Sequence, residues 1–395
     1  MASPHPGDAT RTATLVVFVA VFIDLIGFGI VLPLLPSYAA RLQASDARIG
    51  MLVASFSLMQ FLLAPWWGRL SDRIGRRPVI LTGLAGSAVS YLLFAVATDY
   101  RVLLLSRVVA GGMGATVNVA QAYLADVTPP ERRARAMGLV GAAFGLGFVV
   151  GPAIGGLSSR LGEAGPGLVA AALTGANFVF GWFWLPETRI HPTAPASLAA
   201  PAPWKTLAAP FGVIGASTVA FTVMYVVFPL YAERGLHYSR HQVAYLFVLI
   251  GFITAIVQGG MVGRLVHRWG EPRLMAAGAV LLAVGLAAIP LSSSASVPDR
   301  FRLPVLLAAL CFLGFGAGLV GPSVTGYVSR LTPKEQQGRA LGALTGVGAI
   351  ARVVGPIMAG TINQYSGSQA AFLVAAAAAL AAGVATAGLR LRTEG

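Results

Sequence analysis

Charge is what this sequence has least of. Asp, Glu, Lys and Arg make up 11% of its 395 residues, against about 25% in an ordinary soluble domain, which argues against a water-soluble globule. Acid is scarcer still: 14 Asp and Glu face 28 Lys and Arg, for a net charge of +14. The basic residues fall in short stretches between apolar runs, so lipid headgroups and topology account for them better than nucleic acid does. The single cysteine, Cys311, lies in an apolar run and permits no intrachain disulfide. There is no Walker loop, no metal-ligand cluster and no nucleophile–base arrangement, so no ATP-driven step, no metal, no cofactor and no enzymatic activity are expected. Gly316-Ala317-Gly318-Leu319-Val320-Gly321 fits GxGxxG, but it lies in an apolar run with no preceding strand and no acid at the right distance. The first apolar run is too long for a signal peptide and lacks a small-residue cleavage site, so it reads as a retained helix.

What is present is a series of apolar runs of about 20 residues, the length a bilayer core demands of a helix. Twelve are expected, near 15–35, 49–67, 79–97, 102–125, 136–157, 167–185, 211–231, 242–265, 274–291, 303–328, 340–362 and 370–389. The reading is an all-α membrane protein with two pseudo-symmetric six-helix bundles, 1–185 and 211–395, and a linker at 186–210. Pro186, Pro192, Pro195, Pro201, Pro203 and Pro210 argue against a continuous helix in that linker. With both termini cytoplasmic, 18 Lys and Arg fall in inner segments, 8 in outer loops, and Arg107 and Arg352 inside spans. That bias follows the positive-inside rule.

The halves repeat. Thr128-Pro129-x-Glu131 recurs as Thr332-Pro333-x-Glu335, 204 positions on. The same offset carries Gly114 to Gly318, Tyr123 to Tyr327, Arg135 to Arg339 and Gly151-Pro152 to Gly355-Pro356. Gly68-Arg69-Leu70 and Gly75 recur, at an offset of 195, as Gly263-Arg264-Leu265 and Gly270, with His267 in place of Asp72.

Four stretches carry the polar residues of interest. The basic hinge Gly68-Arg69-Leu70-Ser71-Asp72-Arg73-Ile74-Gly75-Arg76-Arg77-Pro78 separates the second and third spans. Asp24 is the acid deepest in any span; placing a charge there costs about 2.5–3.5 kcal/mol on insertion scales, so it needs a cavity, a partner or a proton. Arg107 opens the run to Ala115 in the fourth span, where it either meets water or an anion or snorkels to the interface. The fifth span holds Gly141, Gly145, Gly151, Pro152, Gly155 and Gly156, suited to close helix approach and bending. Arg352 sits mid-way along the eleventh span with no acid near it in sequence; it either binds an anionic substrate group, pairs with Asp24, or bonds to carbonyls.

These stretches resemble the motifs of the major facilitator superfamily. The hinge is similar to its loop between helices 2 and 3, and Arg107 to Ala115 to its helix-4 motif. Asp24 through Pro33 and Pro36 is similar to the helix-1 motif of the drug:proton antiporters. The fifth span resembles their G-x-x-x-G-P-x-x-G-G motif. The resemblance implies two parallel repeats with a substrate site at mid-membrane between them. It implies proton coupling at Asp24 and Arg107, with a structural pair as the alternative for Asp24. It implies a gate from Gly68, Asp72, Arg73, Gly75, Arg76, Arg77, Asp126 and Arg339. In that gate Asp126 holds the arginines, and Asp72 accepts from the start of the eleventh span.

Phe28, Asn118, Gln121, Met224, Tyr225, Gln258, Tyr327 and Arg352 are the candidate cavity residues, though some polar groups will simply bond between helices. The implied activity is proton-coupled export of small amphipathic compounds by a monomer in the cell membrane, with both termini cytoplasmic. The partners are a small-molecule substrate, protons and the lipid bilayer, and no nucleic acid. The alternatives are an exporter or uniporter of a sugar, organic anion or siderophore, and a non-transporting receptor, against which the intact gate argues. Tetracycline exporters carry a helix-3 aspartate where this chain has Ser90, and a helix-9 acid that is missing here, which weighs against tetracycline itself.

Overall fold

A computed structural model describes residues 6–114, 116–128, 133–187, 204–333, 336–386 and 389. Among these residues the regular structure is helical, with no strand. A bilayer dictates this, because every backbone N–H and C=O in it must find a partner within its own segment. Among the described residues, eleven helical segments are long and apolar enough to cross a membrane. The last, α14 (Gln337–Ala385), has 49 residues, or about 74 Å of helix against a core of about 30 Å. Gly367 breaks it with φ of +81°, a conformation open to glycine at no steric cost. Its two arms make two spans, consistent with the twelve expected.

Interruptions fall at proline and glycine. The first span is α1 (Pro6–Val31), a turn holding Pro33, and α2 (Leu35–Arg41). α3 (Asp46–Ile74) and α4 (Arg76–Ala95) flank the basic hinge, which narrows to Gly75 at φ +101°. The fourth span is α5 (Tyr100–Met113) and α6 (Thr116–Val127), interrupted at Gly114. The carbonyls freed there are taken up from α3: Gln60 donates to Gly114 at 3.0 Å and the Trp67 indole to Gly112 at 2.6 Å. Asp99 caps α5 by accepting from the Arg101 and Val102 amides at 2.7 and 3.1 Å. α7 (Arg133–Ser158) and α8 (Gly165–Trp184) follow.

α9 (Trp204–Gly235) begins inside the expected linker and runs through Pro210, so the linker is shorter than 186–210. Residues 188–203 of it lie outside the described residues. α10 (Arg240–Ile256) opens on a capping box from Ser239 and Gln242. It passes through a π-turn at Val257–Met261 into α11 (Val262–Trp269). α12 (Glu271–Ala288) and α13 (Asp299–Leu331) lead to α14.

Two compact units emerge: 1–35 with 55–194, and 36–54 with 195–395. In the first, α1 packs on α7 and α8, and α4 on α5 and α8. Val17, Val21, Leu84, Val119, Tyr123 and Ala143 lie in its core. In the second, α14 packs on α9 and α12, and α12 on α13, around Val213, Met275, Ala279, Val324 and Leu344. The 36–54 segment joins the second unit through polar contacts. Asp46 pairs with Arg234 at 3.1 Å and accepts from Asn363 at 2.7 Å, and Ser37 donates to Glu233 at 2.6 Å. Large apolar side chains such as Leu62, Trp182, Phe183 and Trp184 stay exposed, as lipid-facing positions do.

Candidate functional site

Inside the first unit α1, α4, α5 and α8 surround a polar cluster. Asp24 of α1 is half-buried and within hydrogen-bonding reach of Ser87 on α4. One turn further along α4, the buried phenol of Tyr91 lies within the electrostatic reach of both Asp24 and Arg107. Arg107 of α5 is 3% exposed, so it does not snorkel. Its guanidinium lies 6.0 Å from the Tyr91 ring centre and 5.6 Å from that of Phe94. Its Nε donates to the Ser106 hydroxyl at 3.3 Å, while one terminal nitrogen has no partner. From α8, Asn177 donates to the Ala20 carbonyl, one turn before Asp24, at 2.7 Å. A side chain on Gly27 would meet Thr174 and Tyr91 at 2.9 Å, so only glycine lets α1 close on this cluster. Asp24 and Arg107 are therefore linked through Tyr91, a residue the sequence alone did not set apart. Ser90 is fully buried and donates to the Ser87 carbonyl of its own helix at 2.7 Å.

The basic hinge forms a clasp in the same unit. Arg76, the first residue of α4, pairs with Asp72 at 2.6 Å and Asp126 at 3.0 Å, and donates to the Ser71 hydroxyl at 2.6 Å. Of the three arginines expected on Asp126, it is Arg76 that takes it. Arg77 instead donates to the Trp182 carbonyl at 2.6 Å and lies over that indole at 5.8 Å. Glu187 accepts from the Arg76 and Arg77 amides at 3.0 and 3.4 Å, satisfying the first turn of α4. Sequence reasoning passed over Glu187 because its partners are backbone amides, which leave no mark on composition. Arg339 is exposed in the first turn of α14. A cavity of about 220 Å³ beside the clasp is lined by Trp67, Gly68, Ser71, Asp72, Arg76 and Asn118.

The second unit carries the counterpart with its charges exchanged. Gly270, at φ +75°, precedes α12 as Gly75 precedes α4. The first residue after each glycine pairs with the end of the next span: Arg76 with Asp126, and Glu271 with Arg330. Glu271 is buried and Arg330 largely exposed. The offsets of 195 and 204 map Arg76 onto Glu271 and Asp126 onto Arg330. The signal was present in the repeat, hidden because aligning like with like finds no match.

The glycines of α7 form a seam with α1. A Cβ on Gly151 would lie 2.7 Å from the Gly29 Cα, one on Gly155 2.6 Å from the Ile30 carbonyl, and one on Gly147 2.8 Å from the Leu25 Cβ. Gly147 thus belongs to the seam. Gly141 does not, since a Cβ there meets nothing within 4 Å. Gly145 is half-buried and Gly156 buried.

The remaining candidates are distributed between the units. Phe28 packs against Phe56 at 5.0 Å with the rings tilted by 38°, and meets Phe148 edge-on at 5.9 Å in the first unit. Asn118 and Gln121 are exposed on α6. Met224 is fully buried on α9, and Tyr327 lies in the second unit's core. Gln258 is exposed within the π-turn. Tyr225 and Arg352, from α9 and α14, lie within each other's electrostatic reach. Among the described residues no group of three or more His, Cys, Asp and Glu is placed to hold a metal.

Comparison with known proteins fits this architecture. The Major Facilitator Superfamily profile matches residues 17–298 and 211–395. The class C tetracycline resistance protein of Escherichia coli is 32% identical over 371 residues, with 91% of each chain covered. Major facilitator superfamily domain-containing protein 10 of Homo sapiens is 29% identical over 426 residues, covering 93% of this chain and 91% of that protein. The crystal structure of the human organic anion transporter MFSD10 superposes with a TM-score of 0.72 at 26% identity, over 95% of this chain and 99% of that one. The crystal structure of the nucleoside transporter NupG shares the fold, with a TM-score of 0.72 at 15% identity over 95% and 98% of the two chains. With its hinge, its repeated halves and its many apolar helices, this multi-pass chain belongs to the major facilitator superfamily and is a membrane transporter rather than an enzyme.

Proposed function

We propose that this transporter exports small amphipathic compounds in exchange for protons, by alternating access between its halves, 1–185 and 211–395. It works as a monomer in the cytoplasmic membrane with both termini inside, the orientation that puts the arginine-rich hinge in the cytoplasm. The reading is carried by Asp24, a carboxylate deep in a span with Ser87, Tyr91 and Arg107 around it. A membrane acid in such a cluster is a proton-relay element by default. The α1–α7 seam supports exchange, because smooth glycine faces let two helices bend and slide while in contact. The clasp of Arg76 with Asp72 and Asp126 supports gating: an equilibrium between two access states needs only a few kcal/mol of bias.

The driving force is adequate. A potential of 100 mV is worth about 2.3 kcal/mol per charge and a tenfold proton gradient about 1.4 kcal/mol. One proton thus supplies roughly 3.7 kcal/mol, enough for a gradient of a few hundred-fold in a neutral substrate. In proteoliposomes, Asp24→Asn is expected to abolish pH-driven efflux while leaving substrate binding intact. Efflux that still responds to the imposed pH gradient removes Asp24 from the coupling mechanism.

A second reading is supported by the name of the human organic anion transporter: a metabolite exporter or uniporter that moves an organic anion. Flux that persists at full rate without any proton gradient favours it over exchange.

A further inference from the structure

We infer that the transporter's substrate carries an anionic group bound by Arg352, with its apolar body against the aromatic face formed by Tyr225 and Phe247. This rests on the reading of the chain as an exporter and names the chemistry of its cargo. Arg352 stands at the middle of the first arm of α14, with about 22 Å of helix on either side. A permanent cation at that depth must meet water or an anion. None of the ion pairs or hydrogen bonds among the described residues involves it, and its side chain is exposed.

That exposure is not to lipid. The exposed apolar side chains of this arm, Ile350, Val354, Ile357 and Met358, fall about 140° to 240° round the helix from Arg352 at 100° per residue. On the arginine's own side the residues are small: Thr345, Gly348 and Ala349. A Cβ on Gly348 would sit 3.4 Å from the Arg352 guanidinium, so the glycine leaves that group room to swing. Helix packing brackets the face. Gly355 lies against Val219 and Thr222 of α9, and Pro356 against Gly50 of α3. Arg352 therefore stands on a face of small residues beside α9, away from the large apolar side chains of the same arm.

The neighbouring stretch of α9, one turn beyond Thr222, is aromatic. The Tyr225 phenol is the titratable group whose field reaches Arg352. Its ring stacks on Phe247 at 6.3 Å and 13°, and Phe221 meets it edge-on at 5.4 Å. A cation without a counter-charge beside a flat apolar wall is complementary to a carboxylate or sulfonate on an aromatic or aliphatic body. A cationic compound finds no counter-charge here: among the described residues no Asp or Glu acts on Arg352. Export of such an anion against one entering proton moves two charges in the same electrical sense, so its rate should rise with an inside-negative potential more steeply than that of a neutral compound.

The test uses the purified full-length protein in lipid nanodiscs, with three probes of one shape: naphthoate, naphthamide and naphthylmethylammonium. Equilibrium binding needs no proton gradient, so its outcome is independent of the coupling role of Asp24. Naphthoate is expected to bind best. Arg352→Gln should weaken it by about tenfold or more, the size of a charge-assisted contact, without changing naphthamide. Arg352→Lys should restore part of the loss, which a merely structural arginine would not predict. Tyr225→Leu should weaken naphthoate and naphthamide alike. Equal binding of the three probes, preference for the cation, or undiminished naphthoate binding in Arg352→Gln overturns the assignment. Intact discrimination alongside failed pH-driven efflux would refute proton coupling alone.

Discussion

Tyr91 holds the position between the first unit's deep acid and its buried arginine. Among the ion pairs of the described residues there is none between Asp24 and Arg107; each acts electrostatically on the Tyr91 phenol. A direct pair of full charges in so dry a place would be hard to separate again, whereas a phenol can donate to one side and accept from the other as protonation changes. Tyr91→Phe removes that hydroxyl and keeps the ring under the Arg107 cation. The expected outcome is a fall of about tenfold or more in pH-driven efflux, with substrate–substrate counterflow unchanged. Counterflow falling in parallel would reduce Tyr91 to a packing residue.

At the level of the helix, breaks and seams decide what can move. The α1–α7 seam is made by absent side chains, and one added methyl group probes it. Gly151→Ala sets a Cβ against the Gly29 backbone, and overpacking of that kind costs about 1–3 kcal/mol. Thermal unfolding in detergent should show a lower midpoint, and efflux should slow. Gly141→Ala, which meets open space on the same helix, should change neither. If both substitutions behave alike, the seam has no special role.

The break at Gly75 was legible, as a basic hinge between two apolar runs, whereas those at Pro33 and Gly114 fall inside runs read as continuous, because hydropathy does not change across them. The π-turn at Val257–Met261 was not legible either. A single π-turn inserts one residue without changing composition, and Gly259-Gly260 reads equally well as helix packing. Nor was the start of α9 legible, because Pro210 falls within an early turn of a helix the sequence places later.

Across the whole molecule, the repeat explains what the sequence conveyed and what it concealed. Twelve apolar runs gave the spans, because length and hydropathy are local properties. Contacts are not local: Glu271 and Arg330 lie among repeated residues, but they differ in charge from their counterparts Arg76 and Asp126, so a search for identity passes over them. Arg330→Ala strands a buried carboxylate and should lower stability by about 1–3 kcal/mol, read as thermal unfolding in detergent. Arg330→Glu should be worse, with two acids opposed. The double exchange Glu271→Arg with Arg330→Glu, which copies the polarity of the first half, should recover most of the loss. If the double exchange is no better than Arg330→Glu alone, the pair is not a clasp.

The exchanged polarity of the two clasps also limits how such a protein can be rebuilt. Transplanting the inner end of α13 into the first half would confront Arg76 with another guanidinium, and the reverse graft would face Glu271 with a carboxylate. Each clasp is therefore inherited as a matched couple, and chimaeras that cut between its two members should fail to accumulate while those that cut outside should express.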